Sequence, residues 1–208
     1  MSKFRNKYRV ESHRMPGWNY AGNGMYYLTV VTQNRVCLFG KIENGKMKLS
    51  EFGKIADSEW YKSFEIRTEL FSDDFVLMPN HLHAIVILKN NDDCEETHGR
   101  VVEAHGRAPL HAHNANVGDQ INDKNRKNKL YRKPKSISSF MAGYKSAVTT
   151  RINNWIDNNS PKEKYNRTNR LWQVNYHDRV IRNQEEYLRI KNYIRNNPKD
   201  WKSDGFNN

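Results

Sequence analysis

The sequence contains few cysteines and no long hydrophobic run. Its 208 residues include two cysteines, Cys37 and Cys94, which are neither spaced as metal ligands nor numerous enough for a disulfide framework. The longest apolar runs, such as 84–88, have five residues, whereas a membrane-spanning helix needs about 20. The N-terminal segment lacks the apolar stretch of a secretory signal. We therefore exclude a transmembrane protein and expect a cytoplasmic protein in a reducing setting.

Acidic residues are also scarce relative to basic ones. The chain has 35 Lys and Arg against 23 Asp and Glu, a formal net charge of +12. Cations that neutralise phosphates release counterions, and this release favours binding to a polyanion. Aromatic residues, 12% of the chain, are interleaved with these cations and are suited to stacking on unpaired bases. The composition favours single-stranded nucleic acid over duplex, although a merely well-solvated basic surface is the alternative.

The polarity of the chain divides it into four parts. Residues 1–24 are basic and rich in turn residues, and we interpret them as an N-terminal arm. Residues 25–201 carry the periodic patterns of one folded domain, and 202–208 form a tail. A polar stretch at about 89–130 has no sustained periodicity and is interpreted as a disordered insertion within the domain. Its histidines are better explained as solvent-exposed chain than as metal ligands: His98, His105, His111 and His113.

The periodic segments predict alternating strands and helices. Extended runs are predicted at Met25–Thr32, on both sides of Asn44-Gly45, and at Phe75–Met78, His81–Leu88 and Leu171–Ile181,. Pro79-Asn80 leaves open whether the runs beside it are two strands or one bent strand. Helical spacing is found in Ser50–Phe64, Ser136–Asn154 and a third segment that begins after Asn183 and ends before Pro198,. This order predicts an α+β fold with helices on one face of an antiparallel sheet.

Two histidines stand at alternate positions of a predicted strand. In a strand, residues i and i+2 point to the same face, so His81 and His83 emerge side by side while Leu82 points to the core,. Such a pair can hold a divalent ion with open coordination positions. Two half-exposed histidines without a ligand are an equally good interpretation of this spacing alone.

A tyrosine and an asparagine stand four residues apart in the last predicted helix. Tyr193 and Asn197 therefore project from one helical face,. If that face meets the histidine pair, the Asn197 amide oxygen can complete a metal site next to the Tyr193 hydroxyl. A metal-bound phosphate beside a phenol is the arrangement that attack on a phosphodiester requires. A tyrosine that merely packs in the core is the common alternative.

These segments together resemble a known family. Phe75–His83 resembles the His-hydrophobic-His ("HUH") segment of IS200-like single-strand transposases. Leu171–Gln173, Ile181–Asn183 and Tyr193–Pro198 resemble the closing signature of the REP-associated tyrosine transposases, and the Phe140–Asn154 helix is also similar to that branch.

The resemblance implies a ferredoxin-like (RRM-type) sheet and a Mg²⁺ or Mn²⁺ ion held by His81, His83 and Asn197. It implies Tyr193 as the nucleophile that forms a 5′-phosphotyrosine on hairpin-containing (REP-like) single-stranded DNA. It also implies a monomer or a homodimer. Relatives often carry Gln at the position of Asn197. Tyr144 is the runner-up nucleophile, but position 148, four residues later, is Val.

Further residues are candidates for contacts with DNA or for support of the site. Asp178 is a candidate to orient a histidine, and Trp172 either stacks on a base or packs in the core. Because histidines must be neutral to ligate, we expect metal affinity to fall as the pH drops through about 6.5. The candidate phosphate-binding cations are Arg14, Arg132, Lys133, Lys135, Arg179 and Arg182.

The leading hypothesis is a cytoplasmic, nucleoid-associated transposase that cleaves and rejoins hairpin-containing DNA. A non-catalytic RRM-like protein that binds single-stranded DNA or RNA is the alternative. A metallohydrolase that uses the histidine pair and a bound water is a third possibility, and it would not need Tyr193.

Overall fold

The computed structural model describes residues 3–4, 7–8, 14, 17–90, 133–159 and 170–207. The predicted insertion at 89–130, with its four histidines, and candidate Arg132 lie outside the described residues except for Lys89 and Asn90. Eleven helices and strands are named here in chain order. They are β1 (Lys3–Phe4), β2 (Lys7–Tyr8), β3 (Gly24–Val31), β4 (Gly40–Glu43), β5 (Lys46–Leu49), α1 (Glu51–Glu65), β6 (Leu70–Leu77), β7 (His81–Leu88), α2 (Ile137–Asn159), β8 (His177–Ile181) and α3 (Gln184–Asn196).

Four strands form the main sheet, in the order β6-β7-β3-β8, and all neighbours are antiparallel. With α1 between β3 and β6 and α2 between β7 and β8, this is the ferredoxin-like arrangement, which confirms the predicted fold. Pro79 and Asn80 lie between two separate strands, so the runs beside them form a β-hairpin rather than one bent strand. Asn44 and Gly45 join β4 to β5 with φ of 52° and 70°, the left-handed pair that a tight two-residue hairpin turn favours.

Helices α1 and α2 cover one face of the sheet and enclose the main hydrophobic core. Trp60 lies at its centre, stacked on Phe75 at a centroid distance of 4.6 Å and met edge-on by Phe140 and Tyr144. Ser50 caps α1, since its Oγ accepts a hydrogen bond of 3.1 Å from Gly53 N,. Leu82 and every second residue after it along β7 point into this core.

Helix α3 lies on the opposite face of the sheet. The prediction that helices share one face therefore holds for α1 and α2, while α3 packs on the other side through a smaller apolar cluster. Asn183 caps α3, as predicted, with its Oδ1 accepting a hydrogen bond of 2.8 Å from Glu186 N,. The cluster beneath α3 consists of Ile85, Ile181, Ile190 and Ile194.

Candidate functional site

The strand β7 presents His81 and His83 on the face of the sheet that α3 covers. Their ring centroids are 4.6 Å apart, and the side chains are 0% and 1% exposed. Because strand residues alternate, Leu82 between them points to the main core,. The side-by-side arrangement expected from the sequence is present in the structure.

Hydrogen bonds orient both imidazoles so that their Nε2 atoms remain available. Asn80 Oδ1 lies 2.8 Å from His81 Nδ1, and the Asn80 amide nitrogen donates to two main-chain carbonyls, those of Arg35 and Phe206. The amide orientation is therefore set, and Oδ1 can only accept, so the His81 proton resides on Nδ1. The His81 Nε2 lone pair is left for a ligand, which is the tautomer that metal-binding histidines adopt.

His83 is oriented by two hydroxyl groups. The Tyr27 hydroxyl lies 2.7 Å and Thr29 Oγ1 lies 2.8 Å from His83 Nδ1. These contacts occupy Nδ1 and direct Nε2 of His83 toward the space that His81 also faces. Partners of this kind in the outer shell of a metal site hold ligands in place and raise their basicity.

Two further side chains complete a cluster with the histidines. Asn197 follows α3, and its Nδ2 donates a hydrogen bond of 3.0 Å to Asp204 Oδ2. That same carboxylate oxygen lies 4.0 Å from His81 Nε2. The ligand atoms of His81, His83 and Asp204 all lie within 4.8 Å of one another.

Among the described residues, His81 Nε2 and Asn197 Oδ1 are buried without a hydrogen-bond partner. Buried acceptors left unpaired are costly, and a divalent cation would satisfy both.

Asp204 is the residue that the sequence analysis missed. It lies within the segment interpreted as a tail, where no periodicity predicts which way a side chain points. In the structure, the turn at Trp201–Ser203 brings the chain back over the histidines, and the Phe206 ring lies 4.6 Å from the His81 ring. Two aspartates, Asp200 and Asp204, follow Pro198, and nothing in the sequence indicates that the second one meets the histidines.

Tyr193 reaches the same cluster from α3. Its hydroxyl is 3.3 Å from His83 Nε2, and 46% of its surface is exposed. Burial and the nearby Asp204 raise the pKa of the phenol, and the polar Asn197 side chain opposes that rise. The phenol is therefore neutral at pH 7, and any attack by its oxygen would require removal of its proton.

The two histidines are neutral at physiological pH. Burial lowers the pKa of His81 to about 4, although the nearby Asp204 and Asn197 side chains favour the charged form. Burial and the proximity of His81 lower the pKa of His83 well below its usual value. Protons would therefore compete with a bound metal only at a lower pH than the value near 6.5 expected from the sequence.

This shift predicts a pH dependence of stability in the metal-free protein. Between pH 6.5 and about 4, His81 binds a proton in the unfolded chain but not in the folded one, so stability falls as the pH falls,. At about 1.4 kcal/mol per pH unit, we expect His81 to contribute a loss of about 2–3 kcal/mol. Urea unfolding in EDTA at pH 7 and pH 4.5 measures this loss. His81→Gln should lose less stability than the wild type over that interval, and an equal loss would contradict the assignment.

Three other candidates lie away from the cluster. Tyr144 is 1% exposed in the main core, where its hydroxyl donates to Ala56 O at 3.1 Å, so the structure does not bring it to the histidines. Asp178 pairs with Arg14 at 2.8 Å on the α1–α2 face of the sheet, so it does not orient a histidine. Trp172 is 5% exposed and packs on Phe39. Its position favours the core interpretation over base stacking.

Several of the candidate cations lie around one cleft at the β8 edge of the sheet. The cleft has a volume of about 680 Å³ and is lined by Arg14, Arg179, Arg182 and Arg189, together with Asp178 and Glu186. Arg179 pairs with Glu186 at 2.6 Å. Lys133 and Lys135 precede α2, whose Ile137 N donates to Tyr20 O at 3.1 Å, and Tyr20 also lines the cleft. The structure thus brings three of the six predicted cations, Arg14, Arg179 and Arg182, to this cleft, and Lys133 and Lys135 do not line it.

Comparison with known proteins identifies a homologue. A Haemophilus influenzae protein, described as uncharacterized, is 31% identical over 195 residues, which cover 93% of this chain and 90% of the relative. The chain belongs to the same family as this protein. No protein-family model matches the sequence. In the described part of this chain, no helix is long and apolar enough to span a membrane.

Two solved structures are similar to this chain. A REP-associated tyrosine transposase bound to a REP hairpin matches with a TM-score of 0.52 and 16% identity, over 92% of this chain and 74% of the other. A protein described as a transposase from Deinococcus radiodurans is 16% identical, with a TM-score of 0.38 over 90% of this chain and 97% of that one. The first match establishes a shared fold. The chain thus resembles the REP-associated tyrosine transposases in fold as well as in the motifs found in its sequence.

Proposed function

We propose that the chain is a metal-dependent transposase that cleaves and rejoins hairpin-containing, REP-like single-stranded DNA through Tyr193. The observation that carries this proposal is the Tyr193 hydroxyl, 3.3 Å from Nε2 of a buried, neutral histidine pair. A binding module would not require a half-exposed phenol to be aimed at two oriented imidazoles. The REP hairpin bound by the protein of similar fold supports the choice of DNA substrate.

His81, His83, Asn197 and Asp204 fit a divalent ion such as Mg²⁺ or Mn²⁺. The orphaned His81 Nε2 and Asn197 Oδ1 supply one nitrogen and one oxygen donor, and the Asp204 carboxylate supplies negative charge. When bound, such an ion polarises the phosphoryl group and stabilises the charge that develops on it. The mixed nitrogen and oxygen donors suit Mn²⁺ at least as well as Mg²⁺.

The chemical step is a transesterification. The Tyr193 oxygen attacks the phosphorus, an O–P bond to tyrosine forms, and the bond from phosphorus to the 3′-oxygen breaks. The phenol loses one proton and the departing 3′-oxygen gains one, through solvent, so the products are a 5′-phosphotyrosine and a free 3′-OH. The covalent link preserves the energy of the phosphodiester for rejoining by the reverse attack.

A denaturing gel tests this function. Wild-type protein is incubated with Mn²⁺ and an oligonucleotide that contains a DNA hairpin, labelled at its 3′ end in one reaction and at its 5′ end in another. We expect the 3′ label to migrate with the protein and the 5′ label to appear as a shorter strand that a polymerase can extend. Excess EDTA and blunt duplex should both abolish the adduct. Tight binding without any adduct would instead favour the non-catalytic binding protein.

We also propose that the arginine cleft at the β8 edge holds phosphates of the DNA. Arg179, Arg182 and Arg189 all extend from the β8–α3 region, whose α3 segment also carries Tyr193. A DNA strand bound there would lie on the element that holds the nucleophile. Action on DNA also implies a cytoplasmic, nucleoid-associated protein, as a monomer or a homodimer.

The cleft predicts a specific salt dependence of DNA binding. Replacing Arg182 and Arg189 together by Gln should weaken DNA binding about fivefold or more and reduce the slope of log K against log salt by up to about 1.4, for two phosphate contacts to a single strand. The control replaces Lys54 and Lys62, two half-exposed cations of α1 that do not line the cleft, by Gln. Fluorescence anisotropy at several salt concentrations measures both variants. Equal effects would show that only net charge matters.

A further inference from the structure

The edge strand β6 contains a bulge that faces α3. Ser72 pairs with Val86 and Phe75 pairs with Ala84, so Asp73 and Asp74 together oppose the single residue Ile85. In a regular strand, adjacent side chains point to opposite faces, but an inserted residue breaks that alternation. Both carboxylates can therefore approach the same helix.

Each carboxylate of the bulge contacts a cation of α3. Lys191 Nζ lies 2.9 Å from Asp73 Oδ1 and 3.5 Å from Asp74 Oδ2. Arg195 Nε lies 3.2 Å from the same Asp74 oxygen. The Lys191, Asp73 and Asp74 side chains are only 17–23% exposed, so these charges are less screened than a typical surface pair. Lys191 also donates to the Tyr187 hydroxyl at 2.6 Å. We call Asp73, Asp74, Lys191 and Arg195 the bulge latch.

On the β6 side of α3, the bulge latch supplies the charged contacts, while the Arg179–Glu186 pair holds the first turn of α3 to β8. The buried side chains of α3 are Ile190 and Ile194, a narrow stripe that rests on the sheet. Tyr193 lies between Lys191 and Arg195 in sequence but points to the other side of the helix, toward His83. A roll of about 20° would move an atom about 6 Å from the axis by about 2 Å. A misplacement of about 1 Å can already cost about 100-fold in rate.

We infer that the bulge latch is a positioning device that sets the roll of α3 and so holds the Tyr193 hydroxyl at the histidine pair. Asp73, Asp74, Lys191 and Arg195 are positioning residues that act through the helix. This inference rests on the proposed role of Tyr193 as nucleophile. The assignment of the latch as the restraint on α3 is separable from that role, and the experiment below treats the two separately.

The test variant replaces Asp73 and Asp74 by Asn, which keeps the shape of the bulge and removes its charge. Lys191→Met removes the cation and Lys191→Arg retains it. Glu51→Gln is the matched control, since it breaks the Lys54–Glu51 pair of α1 far from the site. Three kinds of measurement are made on the full chain. They are amide hydrogen exchange of residues 187–197 in EDTA, the rate of adduct formation at saturating DNA, and the affinities for DNA and Mn²⁺.

We expect the Asn variant and Lys191→Met to exchange about tenfold faster in 187–197, with α1 and α2 unchanged. Adduct formation should slow by about tenfold or more, with both affinities within about twofold of the wild type. Lys191→Arg and Glu51→Gln should behave as the wild type. Unchanged exchange would overturn the inference, and so would a rate loss matched by an equal loss of DNA affinity. If the wild type forms no adduct, the proposed function fails, and the exchange measurement alone decides whether the latch holds α3.

Discussion

Tyr193→Phe should abolish the covalent protein–DNA adduct while leaving the fold and DNA binding intact. The substitution removes one oxygen atom from a half-exposed side chain whose hydroxyl contacts His83 Nε2 at 3.3 Å. No other described tyrosine hydroxyl is both exposed and directed at the Nε2 atoms of the histidine pair, since the Tyr27 hydroxyl meets His83 at Nδ1. We expect the rate to fall by more than about 10³-fold, as when the nucleophile of a catalytic unit is removed. The denaturing gel with 3′-labelled DNA measures the effect.

Matched tyrosine variants distinguish the nucleophile from its neighbours. Tyr187→Phe alters α3 two turns earlier, where the hydroxyl contacts Lys191 rather than the site, and should retain most of the activity. Tyr144→Phe removes a buried hydroxyl that contacts the α1 backbone, so it should reduce stability modestly and leave the adduct. An adduct that survives in Tyr193→Phe but disappears in Tyr144→Phe would place the nucleophile on the other side of the sheet and refute this geometry.

Replacing both His81 and His83 by Gln should remove metal binding and adduct formation together. The two rings present Nε2 atoms held in place by Asn80, Tyr27 and Thr29. Loss of an outer-shell partner alone typically costs 10- to 100-fold in metal affinity, so loss of both ligands should cost at least about 100-fold. Titration with Mn²⁺, followed by electron paramagnetic resonance or calorimetry, measures affinity without any DNA.

Control variants distinguish the residues that bind the metal ion from nearby residues that do not. His177 pairs with Thr29 across β3 and β8, so it lies on the same face of the sheet but is exposed and outside the cluster, and His177→Gln should bind Mn²⁺ normally. Asp204→Asn retains an oxygen donor but loses the charge, and a drop of about tenfold is expected, comparable to an outer-shell loss. If the double histidine variant bound Mn²⁺ as tightly as the wild type, the ion would lie elsewhere. The metallohydrolase alternative predicts hydrolysis that survives Tyr193→Phe.

The local patterns of the chain determined the direction of each candidate side chain relative to its own element. Alternation along a strand placed His81 and His83 together, and the four-residue spacing placed Tyr193 above Asn197, because these periods are properties of the backbone. Asn44-Gly45 and Asn183 likewise predicted a turn and a helix cap through local hydrogen bonding and φ preferences. The order of strands and helices was sufficient to predict an antiparallel sheet with helices packed on it, and the resemblance to the IS200-like transposases implied its ferredoxin-like form.

Tertiary packing decided which of these elements meet. The sequence left Tyr144 as a rival to Tyr193, and only the placement of α2 and α3 on opposite faces separates the two. Asp178 was a candidate to support a histidine, yet its position in β8 turns it to the other face, toward Arg14. Asp204 joins the site because the chain after α3 folds back over the sheet. Periodicity specifies the face of one element, whereas distances between elements distant in sequence depend on how the whole core packs.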